Sequence, residues 1–393
     1  MVLSGMDESY IYGKRLILRE ARNEILVLED EKGHAKEYLD LMSAYGSCNF
    51  GHCNPSIQPY SDYSADIAAC FYPQEAYQFS DWLVHKLSLP NHQVMFQVGG
   101  SLAVSSAISM ALHMRKGKIV YVEGSFHGLG LDSLCATSVH QDYAFQNTQL
   151  TESLKEHFVM LPPNMRLQEI GIGWDEVSCF IFEPIQGANG YISLPHQWLS
   201  ETVKEAKRQG VIVISDEIQC GYYRHGHFSV AHSLELNVDL YLFSKSLTNG
   251  MFPFSCVVFP KRFSENLNQP FYLVHTFQTS ALGCYAAMET ARYIDANDIS
   301  SKCEKLEKEF RYFADVIGQD LTNIHITGPT MSFEVKGIPA REIVQECLKE
   351  GILVFTGGGR GQRVRIAPPV TMGSQSLKEA LNIIGRIASQ KRN

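Results

Sequence analysis

Short runs in the middle of the chain are apolar at almost every position: residues 119–122, 179–182, 211–214, 240–243 and 255–259. A strand with one wet face alternates apolar and polar residues. A strand apolar throughout is buried on both faces, as in a parallel sheet covered by helices on each side. Between these runs, residues 197–209 place Trp198, Leu199, Val203 and Ala206 at helical spacing. Strand, helix and strand with short connections predict right-handed βαβ units and an α/β fold with a mostly parallel central sheet.

The two ends carry a different pattern. Residues 25–28, a turn at Glu31-Lys32-Gly33 and residues 38–42 predict a hairpin. Past about residue 290 the chain becomes charged and helical (302–313), with a strand at 332–335 and a last helix near 376–389. The expected organisation is a large α/β lobe over 56–289 and a smaller α+β lobe built from 1–55 with 290–393.

Composition narrows the function classes. At 393 residues the chain exceeds what one core usually serves. A net charge of −8, with no stripe of basic and aromatic residues, argues against nucleic acid as a partner. The basic pairs Lys14-Arg15 and Lys391-Arg392 read as solvated ends. The ten cysteines are scattered without a CxxC pair, which argues against a disulfide scaffold or a zinc site. No apolar run reaches membrane-spanning length. The opening Met-Val-Leu-Ser-Gly-Met-Asp-Glu lacks the basic and apolar regions of a secretion signal, so the expected compartment is the cytoplasm.

Three predicted strands run directly into charge: Phe182 into Glu183, Ile214-Ser215 into Asp216-Glu217, and Phe243-Ser244 into Lys245. Functional groups in open α/β sheets collect at the carboxyl ends of strands. A desolvated lysine there loses pKa and can attack a carbonyl. An acid at a neighbouring strand end could hold a protonated pyridine nitrogen. Val98-Gly99-Gly100-Ser101 leads into the apolar run 104–114, and a helix start of this kind offers backbone N–H groups to a phosphate.

The order of motifs resembles the class III (subgroup II) aminotransferases of the fold-type I pyridoxal-phosphate superfamily, from about Asp30 to Pro369. Glu31-Lys32-Gly33 with Tyr38-Leu39-Asp40 is similar to the family's opening hairpin, and Phe50-Gly51-His52-Cys53-Asn54-Pro55 to its GHxxP turn. Gly99-Gly100-Ser101 stands where the family has SGA or SGT, and Phe126-His127-Gly128 matches [YF]HG. Glu183-Pro184-Ile185-Gln186-Gly187 matches EPxQG, Asp216-Glu217-Ile218-Gln219-Cys220-Gly221 resembles DEVQTG, and Lys245 lies in FSKSLTNG. His275-Thr276-Phe277 and Arg365 in RVRIAPP complete the series.

The resemblance implies the three-layer fold of these enzymes and pyridoxal 5′-phosphate as cofactor. It implies that Lys245 holds the cofactor as a Schiff base and shuttles the substrate proton, and that Asp216 pairs with the pyridine nitrogen. Phe126 and Ile218 would cover the two ring faces, and Gln219 would approach the phenolic oxygen. Gly100 and Ser101 would bind phosphate, His127 and Glu183 would support the cofactor network, and Thr276 would reach the phosphate of a neighbouring subunit in a homodimer. His52 and His127 on their own read as structural turn histidines, and Glu217 as a structural carboxylate.

The implied reaction moves an amino group between an amine or amino acid and an oxo acid or aldehyde. A racemase, aminomutase or decarboxylase on the same fold, or a silent scaffold, are the rival readings. Several departures from the family bear on substrate. Leu129 stands where many members have Arg, Ala188 where many have Glu, Leu102 where Glu is common, and Thr327 where Arg is usual. Leu cannot clamp a carboxylate. With Ala188 in place of a gating acid, Arg365 is expected to be unlatched and ready for a substrate carboxylate. Tyr45 and Ala188 are expected near the substrate, which is expected to be something other than a plain ω-amino acid of the ornithine or γ-aminobutyrate kind.

Overall fold

The computed structural model describes residues 12–57, 72–139, 149–265 and 275–390. The chain's opening residues and Lys391-Arg392 lie outside these. The centre is a seven-stranded sheet in the order His92–Gln97, Ser255–Pro260, Leu240–Phe243, Ile212–Asp216, Val177–Phe182, Lys118–Val122, Phe158–Leu161. Alternate side chains divide its two faces. Ile119, Cys179, Ile181, Ile214 and Leu242 pack with Ala103, Val104 and Ala107 of helix Gly100–Met114. Val120, Phe180, Phe182, Val213 and Phe243 pack with Leu199, Val203 and Ala206 of helix His196–Arg208. Two apolar faces per strand are thus covered by helical layers, as the doubly apolar runs demand.

The expected parallel character holds for the sheet as a whole, with one correction. Strand Ser255–Pro260 runs antiparallel to both neighbours. Burial on both faces dictates apolarity but not direction, so its sequence resembled its parallel companions. His92–Gln97 and Phe158–Leu161 are the edge strands. One carries glutamines within the strand and the other spans four residues, so neither shows a long apolar run.

A second core lies apart from this sheet. It gathers Leu306, Phe310 and Phe313 of helix Ile299–Ile317, Ile343 and Val344 of helix Ala340–Lys349, and Leu377, Leu381 and Ile384 of the final helix Ser374–Gln390. These helices cover an antiparallel sheet of Leu321–Ile326, Met331–Val335, Arg363–Ile366 and Phe355–Gly357. The predicted hairpin is present as Ile25–Asp30 and Ala35–Asp40. It gains Leu16–Arg22 on one side and the short parallel strand Ile352–Leu353 on the other, tying the N-terminal segment to the C-terminal one. Among the described residues no helix is long and apolar enough to cross a membrane.

Gly117 sits at φ +145° just before strand Lys118–Val122, and a Cβ there would lie 2.5 Å from Glu176 O and 2.6 Å from Ser178 N. Both obstacles are backbone, so neither can swing aside. Gly117→Ala is expected to cost at least about 2 kcal/mol. Urea unfolding should show a lower midpoint with an unchanged slope.

Candidate active site

Sheet order decides where the chemistry falls. Leu240–Phe243, Ile212–Asp216 and Val177–Phe182 are adjacent and parallel, so Lys245, Asp216 and Glu183 leave neighbouring carboxyl ends. Lys118–Val122 pairs beyond Val177–Phe182 and delivers Phe126 and His127. His92–Gln97, antiparallel to the reversed strand Ser255–Pro260, ends at the same edge and delivers Gly99 and helix Gly100–Met114. These ends enclose a cavity of about 200 Å³. Every residue assigned to the cofactor by resemblance lines it except Thr276, which is exposed in a turn.

Lys245 is half-buried, with its amine enclosed and a left-handed backbone (φ +48°) in the short turn Lys245–Thr248. A non-glycine residue pays roughly 1–2 kcal/mol for that conformation. Burial pulls the Lys245 amine down to about 8, against the upward pull of Glu183, and the charge of Arg365 adds to the lowering. Asp216 is buried, and its carboxylate accepts from His127 Nδ1 at 2.7 Å and from Ile218 N at 3.0 Å. His127 therefore does more than shape a turn: it holds the acid that the sequence singled out. Its other ring nitrogen, Nε2, is buried without a hydrogen-bond partner.

Glu183 accepts the Phe126 N–H at 3.0 Å, which fixes the aromatic segment against the cavity. Burial, reinforced by the nearby Asp216 charge, pushes its carboxyl up to about 8. Ile218 packs on the helix start, where a Cβ on Gly100 would meet its Cδ1 at 3.3 Å. Gln219 donates to Tyr45 O at 2.9 Å, and its side chain fills the space where a Cβ on Gly187 would stand. Glu217 is structural, as expected. It accepts from Ser229 Oγ, Val230 N and Ala231 N, away from the cavity lining.

Arg365 requires a correction. Rather than being unlatched, the buried guanidinium donates from Nε to Thr356 O at 3.0 Å and from Nη1 to Gly187 O at 2.8 Å. It lies 4.1 Å from the centre of the Phe355 ring. Backbone carbonyls have taken the place that an acidic gate would fill. Ala188 is buried beside this loop and its carbonyl accepts from Gly358 N at 3.0 Å. Tyr45 stands edge-on to Phe355 at 5.3 Å between ring centres.

Tyr45 belongs to a feature that periodicity could not show. Ser43, Ala44, Tyr45 and Gly46 are all left-handed, at φ +48°, +47°, +57° and +80°. Such a turn persists only where its surroundings over-determine it. The Asp40 carboxylate accepts from Met42 N and Ser43 N, Ser43 Oγ donates to Ala367 O, and Ser246 Oγ donates to Gly46 O. Asp40 is itself held by His52 Nε2 at 2.7 Å. Burial opposes charge on His52 most strongly, yet its hydrogen bonds with Asp40 and Cys48 push it up to about 10.

Fold and cavity define an α/β enzyme with a lowered lysine and a buried anion at adjacent strand ends. The class III aminotransferase family profile matches residues 12–388. The chain is 25% identical over 381 residues to ornithine aminotransferase of Bacillus cereus (strain 03BB102), covering 92% of each. It is 24% identical over 390 residues to acetylornithine aminotransferase of Methanothermobacter thermautotrophicus, covering 96% of this chain and 97% of that one. Among solved structures, taurine:2-oxoglutarate aminotransferase from Bifidobacterium kashiwanohense, in complex with PLP and glutamate, superposes with a TM-score of 0.82. That pair shares 21% identity over 95% of this chain and 92% of that one. The chain belongs to the class III aminotransferases, and it is a pyridoxal-phosphate-dependent transaminase.

The residues fit that cofactor. Asp216 offers an anion to a protonated pyridine nitrogen, and the start of helix Gly100–Met114 offers N–H groups to a phosphate. Lys245 offers a primary amine to an aldehyde.

A pH test follows from His52. In the folded protein it is pushed up to about 10 from an ordinary value of 6.5. The stability it contributes is therefore complete below pH 6.5 and is lost as pH rises through about 10. Urea unfolding of the native enzyme should weaken across that window, by up to about 1.4 kcal/mol per pH unit. His52→Gln should flatten the dependence.

Proposed function

We propose that Lys245 carries the cofactor and moves the substrate proton, while Arg365 holds the carboxylate of the oxo-acid substrate. When bound, pyridoxal phosphate supplies an aldehyde for the amino group and a ring that takes up the electron pair released at the substrate carbon. The observation that carries this reading is the buried Lys245 amine, drawn down to about 8 between two carboxyl groups. Near neutral to mildly basic pH a substantial fraction of it is unprotonated, so it can attack a carbonyl or accept a proton.

Around it each residue has a physical task. Asp216, fixed by His127 and the Ile218 N–H, supplies negative charge at a set position. Glu183 holds Phe126 by its N–H so that the ring covers one face of the cavity. Ile218 closes the other face, and Gln219, anchored on Tyr45 O, stands near the ring oxygen. Gly100 and Ser101 present N–H groups to the phosphate. Arg365 is pinned on Thr356 O and Gly187 O, close enough for its charge to act on Lys245.

Thr276 and Phe277 are exposed outside their own cavity, Phe277 at 60%, and Leu129 is exposed at 54%. That apolar exposure supports a homodimer in which Thr276 completes the partner's phosphate site. Free thiols throughout the described residues support the cytoplasm as its compartment. The relatives named above act on ornithine, acetylornithine and taurine. Leu129 and Ala188 instead favour a donor with a less polar body, near Tyr45 and Ala188, with an oxo acid as acceptor.

Lys245→Ala should lower kcat by at least about 100-fold and abolish donor-dependent bleaching of the visible cofactor band. An active, donor-bleached variant would sink the assignment. Arg365→Ala should raise the oxo-acid KM at least about tenfold, the cost of one charge-assisted contact. Unchanged oxo-acid saturation would remove Arg365 from substrate binding. Reconstitution of the apoenzyme with pyridoxal phosphate should accelerate from pH 7 to 9, with a midpoint near the Lys245 value of about 8.

A further inference from the structure

Arg365 owes its position to the neighbouring strand. Phe355–Gly357 pairs antiparallel with Arg363–Ile366, Phe355 standing opposite Arg365 and Gly357 opposite Arg363. Side chains alternate along a strand, so Phe355 and position 357 share the face that carries Arg365, while Thr356 points to the other. Phe355 is therefore the direct cross-strand neighbour of Arg365, and Gly357 the diagonal one. The Arg365 guanidinium lies 4.1 Å from the centre of the Phe355 ring, as a cation over an aromatic face does.

The stem of Arg365 crosses the place where a side chain at 357 would be. A Cβ on Gly357 would stand 2.4 Å from both Cδ and Nε of Arg365, and 2.9 Å from its Cγ. Turn geometry does not ask for glycine there. Gly358 and Gly361, in the loop that follows, are left-handed at φ +88° and +65°, whereas Gly357 has no positive φ. Glycine weakens a strand, and its presence in one often marks a spot that something approaches closely. Here that something is the arginine.

Arg365 has little freedom to make room. It is 4% exposed, and its Nε and Nη1 are committed to Thr356 O and Gly187 O. A tie between Gly358 N and Ala188 O holds the same two segments together beside it. A methyl group at 357 would press on Nε itself, driving the guanidinium off the Thr356 carbonyl and off the ring.

We propose that Gly357 and Phe355 are specificity-determining positions of this transaminase, forming a seat that presents Arg365 to the oxo-acid carboxylate in one fixed pose. Neither residue lines the cofactor cavity, so both act through Arg365 as positioning residues. The inference rests on the substrate role of Arg365 proposed above.

The test uses enzyme loaded with pyridoxamine 5′-phosphate, so that no amino donor has to be known. Growth of the visible cofactor band is followed against the concentration of pyruvate and of 2-oxoglutarate. Gly357→Ala should raise the half-saturating concentration at least about fivefold while changing the limiting rate less than about twofold. Phe355→Leu, which stays apolar but loses the ring, should raise it at least about twofold and carries the same test should Gly357→Ala fold poorly. In an Arg365→Ala background neither change should add anything, because the side chain it displaces is gone. Unmoved half-saturation in both single variants, or an undiminished rise on top of Arg365→Ala, would overturn the proposal. Half-saturation unmoved by Arg365→Ala itself, or no saturation of the parent enzyme by either acid, would instead strike the earlier reading and the seat along with it.

Discussion

The structure depends on keeping a lysine and two carboxyl groups out of water at the same edge of one sheet. An isolated buried ion is so costly that it neutralises instead. Here Lys245, Glu183 and Asp216 share the cost. Burial and Arg365 draw the lysine down, burial and Asp216 push Glu183 up, and His127 fixes Asp216 with a hydrogen bond. The outcome is a reactive amine beside a held anion, which is the pairing that transamination with pyridoxal phosphate requires.

That edge is supported from outside the central sheet. The left-handed turn at Ser43–Gly46 brings Tyr45 O to Gln219 and Gly46 O to Ser246, one residue past the lysine. Asp40 and His52 hold the turn, and Ser43 ties it to Ala367 in the segment following Arg365. Residues from both ends of the chain thus brace a site whose reacting groups come from its middle. Arg365 belongs to the same brace. Its stacking on Phe355 and its two carbonyl acceptors set where a carboxylate could be met, with no acidic residue needed to park it.

Much of this was legible in the sequence, for specific reasons. Strands such as Val177–Phe182 must be apolar on both faces to lie between two helical layers, so they announce themselves. Glu183, Asp216 and Lys245 each follow such a strand directly, so their place at strand ends could be read without coordinates. The motif order then pointed to the family that the comparisons bear out. The edge strands His92–Gln97 and Phe158–Leu161 were missed because an edge needs no long apolar run. Direction was missed for Ser255–Pro260 because a doubly buried strand looks the same either way.

The sequence by itself determined which side chains could do chemistry and which layers would bury them, since both follow from local composition and period. Only the tertiary structure decided that Lys245, Asp216 and Glu183 are neighbours, because adjacency in a sheet depends on strand order. Only it showed His127 bonded to Asp216 and Arg365 fastened on carbonyls. Hydrogen bonds between residues far apart in the chain, 178 positions for Gly187 and Arg365 and 324 for Ser43 and Ala367, leave no periodic trace along it. They exist because the fold brings distant backbone into contact, where every buried donor and acceptor must find a partner or remain conspicuously without one.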